Sequence, residues 1–149
     1  MGSEMYIRDR ECLSWVTIPE NITVINNWST DSLQTMIDGE QVGRAFSNII
    51  ANAVQSMKGK GELRLSTGID GNYVWGRVED TGCGINEENL EKIFEPLYTT
   101  KPKGIGLGLA ITRRLVEQNS GSIEVTSQVN KGTVFTIRLP LQKKEVKVA

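Results

Sequence analysis

Apolar positions between residues 38 and 58 fall on one face of a helix. Val42, Phe46, Ile49, Ala53 and Met57 recur at helical spacing, flanked by Ala45, Ile50 and Val54. On a wheel of about 100° per residue this face covers about half the circumference. Arg44, Asn48, Asn52 and Gln55 form a narrow polar stripe along one edge of it. Asp38, with Gln41 three residues on, reads as a capping box that starts the helix, and Lys58-Gly59-Lys60-Gly61 ends it. The period then changes. Leu63, Leu65, Thr67 and Ile69 alternate, Asp70-Gly71-Asn72 turns, and Val74, Gly76 and Val78 alternate again, which predicts an antiparallel hairpin running into Asp80.

A short helix is expected from Glu87 to Phe94, then a mobile loop rich in Pro, Thr, Lys and Gly over Glu95 to Gly106. Leu107 to Gln118 predicts a second amphipathic helix facing inward through Leu107, Ile111 and Leu115, with Asn119 and Gly121 at its end. Ile123 and Val125, a turn at Asn130-Lys131-Gly132, and Phe135, Ile137 and Leu139 close the chain as another hairpin. Upstream, Met5, Cys12, Leu13 and Val16 fit a short helix over about Glu4 to Thr17, although Trp15 and Ile18 also suit a strand. Ile22, Val24 and Trp28 read as an edge strand. Helices mixed with antiparallel strands predict an α+β fold, one sheet covered by helices on one face.

The chain has 149 residues and neither repeat nor low-complexity linker, so residues 4–149 read as a single domain. Met1-Gly2-Ser3 looks like a cloning remnant, and the domain like a piece of a longer parent. Hydrophobic content of 38% with 23% charged residues fits a globular domain. Seventeen basic against eighteen acidic residues leave a net charge of −1, which offers nucleic acid no electrostatic footprint. Cys12 and Cys83 form no C-x-x-C and predict neither disulfide nor zinc site. No apolar run approaches the roughly 20 residues that span a bilayer, so no membrane contact is expected of this domain and a cytoplasmic location is. There is no histidine at all.

Three blocks carry candidate chemistry. Asn48 and Asn52 are neighbours on one helix face, and an amide oxygen is a neutral hard ligand for Mg²⁺. Alone, such a pair is more often a solvated edge. Asp80 ends a strand and is followed by Gly82 and Gly84, which free the backbone for close approach to a flat ring. A carboxylate there can accept from the exocyclic amine of adenine, whereas guanine sets acceptor against acceptor. An ordinary D-x-G turn is the bland alternative. Gly104-Ile-Gly106-Leu-Gly108 opens a helix whose free amides suit phosphates, but no strand precedes it as a dinucleotide fingerprint requires. Thr99, Thr100, Lys101 and Lys103 precede it, placed either to close over a γ-phosphate or to lie in solvent.

Together, Asn48-Ile-Ile-Ala-Asn52-Ala, Asp80-Thr-Gly-Cys-Gly-Ile85, Ile93-Phe-Glu-Pro-Leu-Tyr-Thr-Thr-Lys101 and Gly104-Ile-Gly-Leu-Gly-Leu109 resemble the N, G1, F and G2 boxes of sensor histidine kinases, in order. The resemblance runs from about Ile18 to Leu141. It implies the Bergerat ATP-binding fold, a mixed, mostly antiparallel sheet covered on one face by about three helices. It implies ATP and Mg²⁺ as cofactors, with Asn52 as the metal ligand and Asn48 beside it. Asp80 would read adenine, with Gly82, Gly84 and Ile85 around the ring and Thr133 of the closing Gly-Thr nearby. Gly104, Gly106, Leu107 and Gly108 would surround the phosphates. Thr100 and Lys101 would sit in an ATP lid over Glu95 to Lys103. The implied partners are a histidine-bearing dimerisation domain and, downstream, a response regulator.

Two features depart from the family pattern. Gln55 and Ser56 stand where many members carry a lysine and an aromatic residue, and Leu97-Tyr98 replaces an aromatic pair; Asn-Ala-Val-Gln-Ser-Met is similar to a nitrogen-regulation-type subgroup. Gyrase-, chaperone- and mismatch-repair-type ATPases use a glutamate where this chain has Asn48, and an amide cannot serve as a general base. An anti-sigma serine kinase and a non-catalytic nucleotide-binding module are the remaining alternatives.

Overall fold

The structure is a computed structural model that describes residues 3–6, 17–27, 34–37, 39–96 and 108–140. In chain order its strands are β1 (Ser3–Tyr6), β2 (Ile22–Asn27), β3 (Gln34–Ile37), β4 (Gly61–Asp70), β5 (Tyr73–Asp80), β6 (Ser122–Gln128) and β7 (Gly132–Pro140). Its helices are α1 (Gly39–Ser56), α2 (Glu87–Leu90) and α3 (Gly108–Gln118).

Five strands form the main sheet in the order β2-β4-β5-β7-β6. β2 runs parallel to β4, and every other neighbouring pair is antiparallel. The two predicted hairpins are therefore present, with Ile69 opposite Val74 in the first and Ile123 opposite Ile137 in the second. The second turn uses Asn130 at φ 63°, a backbone region that asparagine tolerates better than most residues. The expected edge strand is β2, and its pairing to β4 is what makes the sheet mixed.

The core lies between this sheet and α1. Val42, Ala45 and Ile49 are 0% exposed, and with Phe46, Ile50 and Ala53 they meet Leu63, Leu65, Val74, Val78, Phe135, Ile137 and Leu139. The predicted face of α1 is thus the buried one, and its polar edge stays in reach of solvent: Arg44 and Gln55 are exposed, Asn48 and Asn52 half-buried. The proposed cap Asp38 lies outside the described residues. α3 packs on α1 and β6.

Three expectations need correction. Residues 3–6 are extended, not helical: β1 pairs with β3, placing Ser3 opposite Ile37 and Tyr6 opposite Gln34. A partner strand supplies the backbone bonds that a lone short helix would have to make for itself. Residues 7–16 lie outside the described residues. α2 is a single turn, capped by Asn86, whose side-chain oxygen accepts from the Asn89 N–H at 2.9 Å. The buried face of α3 is Thr112 and Val116, while Leu115 is half-buried and Ile111 is 42% exposed. α3 is rotated towards α1 relative to the apolar stripe, because the contact it makes there is partly polar. Leu107 lies outside the described residues.

Candidate functional site

Asn48 sits on the half-buried edge of α1, and its Nδ2 donates to Thr112 Oγ1 across 3.3 Å. The Thr112 hydroxyl in turn donates to the Gly108 carbonyl at 2.8 Å. A 0%-exposed hydroxyl therefore ties the amide pair to the first turn of α3. Sequence reasoning passed over Thr112. Its signal was the 109, 112, 116 spacing, obscured by the stronger apolar stripe. Gly108 opens α3, and a Cβ there would meet nothing within 4 Å, so packing does not dictate that glycine.

Asp80 ends β5 at 7% exposure. Its Oδ1 accepts from the Gly82 N–H at 2.9 Å, which fixes the carboxylate over its own turn. That turn is bolted to the end of α1, where the Cys83 N–H donates to the Ser56 carbonyl at 3.2 Å. A Cβ on Gly82 would collide with Ser56 Oγ and come within 2.7 Å of its carbonyl oxygen. Gly84 has φ +72°, and a Cβ there would collide with the Gln128 carbonyl oxygen. Both glycines are thus required by contacts within the protein, whatever approaches from outside. Ser56 provides the small surface on which Gly82 rests. Cys83 is exposed and unpaired with another cysteine.

Thr133, 4% exposed, lies directly opposite Asp80 in the β5–β7 pair. Cross-strand partners face the same side of a sheet, so the hydroxyl and the carboxylate are neighbours. Ser127 of β6 is opposite Thr133 on its other side, with their hydroxyl oxygens 2.8 Å apart. The Ile85 N–H donates to Ser127 Oγ at 2.7 Å and holds the turn against β6. Ser127 was not singled out from the sequence, where it is one polar position in an alternating strand.

The structure thus brings Asp80, Gly82, Gly84, Ile85 and Thr133 together at the end of β5, and joins Asn48 to the first turn of α3 through Thr112, with Asn52 one turn further along the same half-buried edge of α1. Thr100, Lys101, Gly104, Gly106 and Leu107 lie outside the described residues. A cleft of about 540 Å³ is lined by Asp80, Ser127 and Thr133 at the end of β5 and by Glu62, Arg64, Glu79 and Thr126 beside them. Glu62, Arg64, Glu79 and Thr126 belong to the sheet face turned away from α1, where Arg64 pairs with Glu62 at 2.8 Å.

A family profile described as "Histidine kinase-, DNA gyrase B-, and HSP90-like ATPase" matches residues 37–143. The chain belongs to this family. It is 36% identical over 126 residues to sporulation kinase C of Bacillus subtilis (strain 168), covering 84% of this chain and 29% of that protein. It is 38% identical over 104 residues to the sensor histidine kinase ZraS of Escherichia coli (strain K12), covering 70% of this chain and 22% of ZraS. The chain therefore spans less than a third of these relatives. Among solved structures, the catalytic domain of histidine kinase ThkA superposes with a TM-score of 0.83 at 27% identity, covering 95% of this chain and 96% of that one. Full-length ShkA, solved in complex with AMPPNP, superposes with a TM-score of 0.73 at 29% identity over 82% of this chain and 26% of ShkA. The fold is that of a histidine kinase catalytic domain. Among the described residues, no helix is long and apolar enough to cross a membrane.

Proposed function

We propose that this domain binds ATP with Mg²⁺ and passes the γ-phosphoryl group to a histidine on a separate dimerisation domain of its parent, which then serves a response regulator. The observation that carries the reading is Asn48. It occupies the helix position where a hydrolase of this superfamily needs a carboxylate, and its amide is bonded to Thr112. An amide accepts no proton from water, so phosphoryl transfer must go to a nucleophile supplied by a partner.

Each part of the site has a physical role in that reading. Asp80 accepts from the adenine amine. Asn48 and the first turn of α3 face the phosphates, where helix N–H groups and the dipole favour negative charge. Asn52 holds Mg²⁺, which neutralises charge on the phosphates. The donor set fits that ion: Asn52 offers a neutral, hard amide oxygen on the half-buried edge of α1. A cation here draws most of its oxygens from phosphates and water, as Mg²⁺ prefers. Thr100 and Lys101 act at the γ-phosphate. This domain then contributes positioning and electrostatics, which is most of what phosphoryl transfer asks of a protein.

The test is transfer in trans. The chain is incubated with γ-labelled ATP and the histidine-bearing domain of its parent. Acid-labile label on that histidine is expected, weaker than in the tethered parent because tethering supplies a high local concentration. Acid-stable label on a serine of a partner would favour the anti-sigma kinase reading. Brisk phosphate release with no partner would favour an ATPase.

A further inference from the structure

Ser127, Thr133 and Asp80 form one row across β6, β7 and β5, each directly opposite the next. A serine hydroxyl has one proton to give and two lone pairs to receive with. All three of Ser127's are engaged. Its proton goes to the Gly132 carbonyl at 2.9 Å, one lone pair takes the Ile85 N–H at 2.7 Å, and the remaining neighbour is Thr133 Oγ1 at 2.8 Å. With the Ser127 proton committed, the Thr133 hydroxyl must be the donor in that last contact. Thr133 is then left with lone pairs alone for anything that approaches it. Its neighbour Asp80 is an acceptor when ionised, with Oδ1 taking the Gly82 N–H. The end of β5 therefore presents two adjacent acceptors and no hydroxyl proton.

We infer that Ser127 is a positioning residue which fixes Thr133 as an acceptor, so that the Asp80–Thr133 pair selects a 6-amino purine and rejects a 6-oxo purine. The inference rests on the ATP reading above and deepens it. A 6-amino group carries two N–H donors for such a pair. A 6-oxo group puts an acceptor where the amino group has donors and sets it against the acceptors of this pair, which is the costly arrangement for buried polar atoms. Without Ser127's oxygen, the Thr133 proton is released to rotate and donate to an oxo group.

The experiment compares Mg²⁺-ATP with Mg²⁺-ITP, which differs at the 6-position and the adjoining ring proton, by calorimetry on the whole chain. The parent should prefer ATP. Ser127→Ala should narrow the ATP-to-ITP affinity ratio about tenfold, the size of one hydrogen-bond difference, and Ser127→Thr should restore it. Thr133→Val keeps Ser127's bonds to Ile85 and Gly132 and removes the hydroxyl, so it should narrow the ratio with ATP affinity reduced. This variant carries the test if Ser127→Ala does not fold. In a Thr133→Val background, Ser127→Ala should change the ratio no further. Equal weakening of both nucleotides by Ser127→Ala, with the ratio kept, would make Ser127 a structural staple and overturn the inference. A parent that binds ATP and ITP equally would do the same. Asp80→Ala run alongside separates the two levels: unchanged ATP binding there removes the adenine site itself, whereas lost ATP binding with an unmoved Ser127→Ala ratio removes only the role of Ser127.

Discussion

Asp80 shows how much one side chain is asked to do at this site. It is 7% exposed, one oxygen holds the turn through Gly82, and its partner strand contributes Thr133. Asp80→Ala should weaken ATP binding by about 1.5–3 kcal/mol, the worth of a hydrogen bond to a charged group, or roughly ten- to hundredfold. Calorimetry showing unchanged affinity would reject the assignment. Asn52 makes a different prediction. Asn52→Ala should lower nucleotide affinity in Mg²⁺ but not after chelation, while Asn48→Ala should show the smaller metal dependence. Cys83 offers a chemical probe of the same turn, being exposed between two packed glycines. Its reaction with a thiol reagent should slow when ATP is added, and only the ratio of rates with and without nucleotide is informative. A ratio near one would place the turn away from the ligand.

At the scale of elements, α1 is both the core helix and the carrier of the amide pair. Its buried face is so complete that Ile49 and Val42 are 0% exposed, and packing of this face fixes the half-buried edge that carries Asn48 and Asn52. Ile49→Ala should cost about 2–5 kcal/mol, transfer and cavity together. Ile111→Ala should stay within about 0.5 kcal/mol, since that side chain is 42% exposed. Denaturant unfolding of both variants checks the rotation of α3. A larger loss at Ile111 than at Ile49 would mean that the apolar stripe, not Thr112 and Val116, faces inward. The seam is also where a polar choice outweighed an apolar one. Thr112 is buried because its hydroxyl has two partners, Asn48 and the Gly108 carbonyl.

The whole chain lacks the phosphoacceptor that its proposed chemistry requires. It has no histidine, so no phosphohistidine can form on it. Incubated alone with γ-labelled ATP, it should remain unlabelled and release phosphate slowly. It should nevertheless bind. A ligand at about 100 times its Kd adds about 2.7 kcal/mol to the folded state, which for a domain of this size raises Tm by roughly 5–10 °C. Calorimetric scans with and without Mg²⁺-ATP measure this, and an unmoved Tm would count against nucleotide binding of any kind. The chain spans 29% of sporulation kinase C and 22% of ZraS. Transfer to histidine is accordingly a property expected of a larger assembly, to which this domain contributes the nucleotide.

The sequence by itself determined the elements whose signal is local. The 3.6-residue period of α1 and the alternation of both hairpins each follow from one stretch of chain, and all three stand in the structure where they were expected. The box order also identified the family before any geometry, because residue types at fixed spacing survive in a linear reading. Tertiary structure decided what depends on partners distant in sequence. β1 became a strand only because β3 lies beside it, and α3 turned Thr112 inward only because Asn48, 64 residues away, was there to bond it. Ser127 gained its place from Ile85, 42 residues away, and from its neighbours across the β6–β7 turn. Local periodicity reports how much apolar surface a segment must bury. It does not report which polar group on the other side will satisfy the hydroxyl or amide that is buried with it.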